Sequence, residues 1–137
     1  MKGITRIFWQ IALFALLFTV SGCEKMSDGD LLTSHVWKWD KMTTDSTNED
    51  VISIVAFSNA LMTGGVFTFR SDGTYNLTVS AFTYSEDGTW ELVGDDILML
   101  DDDEMQIVKL DKEQLVLQGD EVTDEYGTYS YKMYMKK

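Results

Sequence analysis

The chain has 137 residues, a formal net charge of −12 and no proline. A strongly acidic surface repels phosphate backbones and anionic lipid headgroups, which argues against nucleic acid as a partner and leaves membrane contact to an anchor. The length is that of one domain, large enough to bury a core without cross-links. Since the chain has a single cysteine, it cannot form an internal disulfide.

Residues 1–22 have the features of a signal peptide. Lys2 and Arg6 supply positive charge without any acidic residue, and residues 7–20 form a mostly apolar run. This run is shorter than the roughly 20 residues that a membrane-spanning helix needs. We therefore expect the segment to be removed from the mature protein.

The signal peptide ends in Val20-Ser21-Gly22-Cys23, which resembles the lipobox of bacterial lipoproteins. In that motif a branched residue and two small residues precede a cysteine that is acylated and becomes the new N-terminus. The resemblance implies an exported protein whose Cys23 carries lipid, including palmitate, at the cell envelope. The outer membrane is the expected location, with cell-surface exposure as a further option. The alternatives are an ordinary signal peptide with a chance cysteine, or a core helix.

A short repeat of glycine, threonine and an aromatic residue begins at Gly73, Gly88 and Gly127. Glycine supplies the positive φ of a tight turn, threonine favours extended structure, and alternate residues after the turn face the same side. The repeat therefore predicts antiparallel hairpins. Alternation outward from these turns predicts eight strands, at residues 35–43, 66–70, 74–80, 88–93, 96–101, 104–110, 114–118 and 126–136.

One face of these strands is apolar, and the other carries mostly polar and charged residues. A single apolar face is most simply buried by closing the sheet on itself, which also removes exposed sheet edges. The sequence thus predicts an all-β protein, a single eight-stranded antiparallel meander barrel over residues 34–137, preceded by a lipid-anchored tether at 23–33. A two-sheet sandwich is the alternative architecture.

The segment before the second strand carries signals for both helix and strand. Ser46-Thr47-Asn48-Glu49 has the form of a capping box, apolar residues recur at helical spacing as far as Met62, and Gly64 suits the position after a helix. However, the β-branched run 51–55 also fits a strand. We predict a short helix near 47–62, which would act either as a lid over one barrel mouth or as a plug that completes the core.

The order of motifs along the chain carries a family resemblance. Trp37-Lys38-Trp39 is followed by Val66-Phe67-Thr68-Phe69, then by Ser71-Asp72-Gly73-Thr74-Tyr75 and Gly88-Thr89-Trp90. This order resembles the lipocalin-like domains on lipoproteins of Gram-negative gut bacteria. The resemblance implies an eight-stranded cup, often built around an apolar pocket, in a family that mostly lacks a defined activity.

Aromatic residues collect on the predicted inner face. They either line a ligand cavity or fill the interior, because an eight-stranded barrel is at the size where both occur. The first case implies binding of a small apolar or amphipathic molecule. The second implies a structural module that contacts another envelope protein or a glycan. The candidate cavity residues are Trp37, Trp39, Phe67, Phe69, Tyr75, Trp90, Tyr129 and Tyr131.

Groups suited to catalysis are scarce. His35 is the only histidine, and the sequence contains none of the usual nucleophile, zinc or phosphate-binding motifs. We therefore predict no enzymatic activity, no cofactor and no metal. The acidic residues of 95–104 lack the spacing of a calcium loop and are more simply solvated turns. Asp45-Ser46-Thr47 resembles the acceptor motif for O-glycosylation, at Ser46, in some gut bacteria.

Overall fold

The computed structural model describes residues 26–137, so the predicted signal peptide and Cys23 lie outside the described residues. The described part of the chain consists of two α-helices, a 3₁₀ turn and ten strands. In chain order these are α1 (Asp28–Ser34), β1 (Val36–Thr44), α2 (Glu49–Met62), β2 (Gly65–Phe69), β3 (Thr74–Val79), the 3₁₀ turn (Ser80–Phe82), β4 (Tyr84–Val93), β5 (Ile97–Leu100), β6 (Asp103–Leu110), β7 (Gln114–Gln118), β8 (Val122–Asp124), β9 (Gly127–Tyr129) and β10 (Tyr131–Lys136).

Eight of the strands form a closed barrel in the order β1-β10-β7-β6-β5-β4-β3-β2. Every neighbouring pair is antiparallel. The prediction of a single eight-stranded antiparallel barrel is therefore confirmed. Closure leaves one interior face, which alternate residues of each strand occupy.

The last predicted strand, 126–136, is corrected by the structure. Its first part becomes β9, which pairs with β8 in a separate two-stranded ribbon, and only β10 joins the barrel. The break falls at Ser130, whose backbone N–H donates to the Asp45 carboxylate at 2.7 Å. The side chain of Asp45, which is distant in the sequence, thus accepts the hydrogen bond from the backbone N–H at the break between the two strands.

The tether boundary near residue 33 also needs correction, because α1 belongs to the folded domain. The Ser27 hydroxyl accepts from the Asp30 N–H at the start of the helix. Leu31 and Leu32 are buried, and the Trp37 indole donates to the Leu32 carbonyl at 3.0 Å. The acidic residues of this segment disguise it as a polar linker, whereas its two leucines attach it to the barrel.

The predicted helix near 47–62 is confirmed as α2. Its N-cap is Asn48, whose side chain accepts from the backbone N–H groups of Asp50 and Val51. Val51 and Val55 are buried. Only Met62 of this helix packs against the main core cluster. The helix therefore covers the barrel from outside the core and does not complete the core as a plug.

The position of α2 follows from a gap in the barrel wall. β1 pairs with β2 only over Val36–Lys38, so the remainder of β1 has no strand on that side. Asn59 of α2 fills this gap: its Oδ1 accepts from the Met42 N–H at 2.6 Å, and its Nδ2 donates to the Met42 carbonyl at 2.9 Å. One amide side chain thus replaces a strand partner.

The two ends of the barrel differ. α1 lies at the end where β1 begins, while α2 and the 3₁₀ turn lie at the opposite end, which we call the rim. Neither helix is long and apolar enough to cross a membrane. The core between the ends contains the buried residues Leu32, Trp37, Trp39, Phe67, Phe69, Tyr75, Leu98, Leu115, Leu117 and Met135.

Candidate functional site

Six of the eight candidate cavity residues come together inside the barrel. Five are buried, and Trp90 packs against them. The Phe69 and Trp90 rings meet edge to face with centroids 5.9 Å apart, and the Phe67 and Phe69 rings stack at 6.4 Å. These are favourable aromatic geometries. At this level of the barrel the rings contact one another, and their role in lining a cavity stays a prediction.

Tyr129 and Tyr131 stand apart from that cluster. Their rings pack edge to face at 5.4 Å, and the Tyr129 hydroxyl donates to the Asp124 carboxylate at 2.6 Å. Tyr129 lies in the β8–β9 ribbon, outside the barrel sheet. Sequence reasoning grouped these two tyrosines with the others because it extended a single strand through Ser130.

A pocket of about 320 Å³ lies at the rim, and its wall is almost wholly apolar. Its volume falls within the range of roughly 300–1,000 Å³ of small-molecule sites. α2, β3, the 3₁₀ turn and β4 all contribute to it. We call it the rim pocket, and its residues are Leu61, Met62, Leu77, Val79, Phe82 and Tyr84.

Local backbone geometry positions these residues. Thr83 follows the 3₁₀ turn with φ of 52°, and its N–H donates to the Ser80 carbonyl at 3.3 Å. This tight turn leaves Phe82 59% exposed. On the other wall, a Cβ on Gly65 would lie 2.9 Å from the Met62 carbonyl oxygen, so glycine is needed for β2 to start directly beside α2.

One buried donor of the core has no partner among the described residues. The Trp39 side chain is buried, and no acceptor among the described residues reaches its Nε1. The Cβ of Trp39 and the terminal methyl group of Met62 both lie against the same face of Gly65, at 3.5 and 3.2 Å from a Cβ built there. Buried indole N–H groups normally find a hydrogen-bond acceptor, so Trp39 departs from this pattern.

Two tyrosine–carboxylate pairs lie beside the inner face of β4. The Tyr84 hydroxyl donates to the Glu86 carboxylate, which raises the pKa of Tyr84. The Tyr75 hydroxyl donates to the Asp101 carboxylate at 2.8 Å. Burial is the main cause that raises the pKa of Tyr75, and this hydrogen bond is the second. Tyr75 and Tyr84 therefore keep their neutral phenol form around neutral pH, and Asp101 keeps its charged form.

Gly88 makes the second pair possible. A Cβ on Gly88 would lie 2.5 Å from the Tyr75 ring and 2.7 Å from the Asp101 carboxylate, so any side chain there would displace both. The same oxygen of Asp101, Oδ1, accepts from the Thr89 N–H at 2.9 Å, and its Oδ2 accepts from the Tyr75 hydroxyl. The glycine that the sequence assigned to a turn therefore serves a close approach within a long strand.

The remaining sequence hypotheses also have definite positions. The Nε2 atom of His35 has no hydrogen-bond partner within residues 26–137, and its ring packs edge to face on Trp37. The acidic stretch of 95–104 forms turns and strand ends, and no three potential metal ligands converge in the described part. Ser46 accepts from the Asn48 N–H and so takes part in the loop before α2.

A second, more open pocket of about 760 Å³ lies between the β5–β6 turn and the start of the β8–β9 ribbon. Its wall combines acidic side chains with methionines and Tyr131. The residues are Met99, Asp102, Asp103, Glu104, Met105, Gly119, Asp120, Val122 and Tyr131.

The family model described as a lipocalin-like domain matches residues 34–117, which is more than half of the chain. The chain belongs to the lipocalin-like domain family. The resemblance found in the sequence is thereby confirmed. A lipocalin-like domain is typically a non-catalytic barrel that binds small molecules.

One solved structure similar to this lipocalin-like chain is the crystal structure of a DUF4847 family protein from Bacteroides vulgatus. The two chains share 15% sequence identity with a TM-score of 0.46, over 76% of this chain and 94% of that chain. No curated protein matches the chain.

Replacing Asp101 with asparagine is expected to lower the melting temperature by several degrees near pH 7. The Thr89 N–H and the Tyr75 hydroxyl favour the ionised carboxylate, so the pKa of Asp101 lies below its ordinary value in the folded state. The resulting stabilisation is complete above the ordinary pKa and is lost as pH falls through the lowered pKa. The difference between wild type and variant should therefore shrink as pH falls below the ordinary carboxyl pKa of 3.8.

Thermal melts followed by circular dichroism at several pH values test this prediction. Asp102→Asn is the matched control, since Asp102 is exposed and the variant removes the same charge one residue away. A difference in melting temperature that stays constant with pH, or an equal loss in the control, would contradict the assigned role of Asp101.

Proposed function

We propose that this protein is a lipid-anchored envelope protein whose lipocalin-like barrel holds a small apolar or amphipathic molecule in the rim pocket. The observation that carries the proposal is the apolar pocket of about 320 Å³ at the open end of a barrel. In the fold family the barrel typically binds small molecules, and here the rim provides the apolar concave surface for it.

The energetics of the rim pocket favour binding. Phe82 is 59% exposed, Tyr84 46% and Leu61 39%. Removing apolar surface from water is favourable by about 25 cal/mol per Å², so a ligand that covers these side chains gains affinity from each of them.

We propose binding without catalysis. The rim pocket residues include no histidine, cysteine, serine or lysine. Its one ionisable residue, Tyr84, has a raised pKa, which makes it a poor nucleophile or base near neutral pH.

The anchor and the rim pocket fit together in this proposal. α1 begins at Asp28, shortly after Cys23, and lies at the barrel end opposite the rim. A lipid on Cys23 would hold that end near the bilayer. The rim pocket would then face away from the membrane, open to ligands in the adjoining compartment.

A filled barrel that contacts another envelope protein or a glycan is the second candidate function. The outer face of α2 favours it, because Phe57 is 65% exposed, Ile54 49% and Ile52 48%. Exposed apolar surface of this kind is common at interaction sites. The first candidate function depends on Phe82 in the rim pocket and the second on Phe57 on α2. Variants of these two residues therefore distinguish the candidates.

Phe82→Ala is expected to weaken binding of the fluorescent probe N-phenyl-1-naphthylamine by roughly threefold to tenfold, because the variant removes one apolar wall of the rim pocket. Phe57→Ala is the matched control, since Phe57 is similarly exposed but does not line the pocket. Probe fluorescence titration gives both dissociation constants. Absence of saturable binding by wild type, or equal weakening in both variants, would contradict the proposal.

Cys23→Ser is expected to move the protein from the membrane fraction to the soluble fraction, or to block its processing, because the acylated residue is lost. Fractionation of host cells and the intact mass of the purified protein measure the change. Ser21→Ala is the control, since it leaves the cysteine in place and keeps a small residue before it. A Cys23→Ser variant with the partitioning and mass of the lipidated protein would refute the anchor.

A further inference from the structure

We infer that the rim pocket selects a cationic amphiphile, an apolar chain or ring that carries a protonated amine, and that Glu86 binds the amine. This inference rests on the proposed function and names the chemistry of the ligand's polar end. It depends on the position of Glu86 relative to the apolar wall.

Glu86 lies on the same face of the barrel sheet as the pocket wall. It pairs in register with Leu77 across β3 and β4, and it follows Tyr84 by two residues. Residues opposite each other in antiparallel strands project to the same side, as do residues two apart in one strand. Leu77 and Tyr84 both line the rim pocket, and the Tyr84 hydroxyl contacts the Glu86 carboxylate. The carboxylate therefore marks the polar edge of an apolar site.

Glu86 retains capacity to accept hydrogen bonds. An ionised carboxylate has about four lone-pair positions, and the Tyr84 hydroxyl is the only side-chain donor to the Glu86 carboxylate among the described residues. Asp101, the other carboxylate on this face, already accepts from the Thr89 N–H and the Tyr75 hydroxyl. The charge of Glu86 also contributes to the raised pKa of Tyr75, so both carboxylates act on the same region.

No lysine or arginine within the described residues forms an ion pair with Glu86 or Asp101. The ion pairs of residues 26–137 are Arg70–Asp87, Lys109–Asp111 and Lys136–Asp40, and none includes Glu86 or Asp101. The rim pocket has no lysine or arginine on its wall. A ligand carboxylate would therefore meet like charge, whereas an ammonium group would form a charge-assisted hydrogen bond with Glu86.

Three probes of equal chain length test the selection: decylamine, decanol and decanoate. They are titrated near pH 7 against the mature chain bearing Cys23→Ser, which keeps the whole barrel and its core. We expect decylamine to bind roughly threefold to tenfold more tightly than decanol, as an exposed charged contact allows. Decanoate should bind most weakly.

Glu86→Gln should abolish the preference for decylamine over decanol. Glu91→Gln is the matched control, because Glu91 lies on the same strand but on the opposite face, and the variant removes the same charge. The control should keep the preference. An equal loss in both variants would show that only the overall charge acts, which would overturn the role of Glu86.

The outcomes separate the two proposals. If decanol binds but decylamine shows no advantage, or if decanoate binds most tightly, the inference about charge is wrong and the proposed binding function stands. If none of the three probes binds, the proposed function itself fails. Binding of decylamine that weakens with rising salt, while decanol binding does not, would support the ammonium–Glu86 contact.

Discussion

The backbone of Met42 sets a constraint on which the rim depends. β2 reaches only the first part of β1, so the N–H and C=O groups of Met42 have no strand partner, and Asn59 pairs with both. An unpaired buried backbone group costs about 1–3 kcal/mol. The two hydrogen bonds hold α2 against the barrel wall. Leu61 and Met62, which follow closely on the same helix, are thereby placed at the rim pocket.

The aromatic core determines where a ligand can bind. Inside the barrel, Trp37, Phe69 and their neighbours contact one another and occupy the lower levels. Towards the rim the inner face of β4 changes character, since Tyr84 and Glu86 replace the apolar residues found at Trp90 and Leu92. The combination of aromatic rings that contact one another deeper in the barrel and an amphipathic rim favours a ligand that is bound at the barrel mouth.

Local sequence patterns predicted most of the fold. Strand alternation and the glycine-containing turns identified all eight barrel strands, and helical spacing with a polar cap identified α2 despite its β-branched residues. The helix α1 was missed because its acidic residues resemble a linker. The break at Ser130 could not be predicted, because it depends on Asp45, which is distant in the sequence.

The candidate site was less predictable than the fold. Alternation correctly placed Trp37 and Phe69 inside, but it could not show that the rings pack together. The rim pocket joins four separate elements, and Glu86 belongs beside Leu77 only because of the register between β3 and β4. Such a site becomes visible once the barrel has closed, although the exposed Phe82 after a strand was a local signal that could have indicated it.

Methyl-resolved NMR of the mature chain during titration with an amphiphile tests most directly whether the ligand binds at the rim. The methyl groups of Leu61, Leu77 and Val79 lie in the rim pocket, and those of Leu98, Leu115 and Leu117 lie in the core. We expect saturable chemical-shift changes in the first set and little change in the second. Shifts confined to the core leucines would show that the ligand enters the barrel interior, and would contradict the rim site.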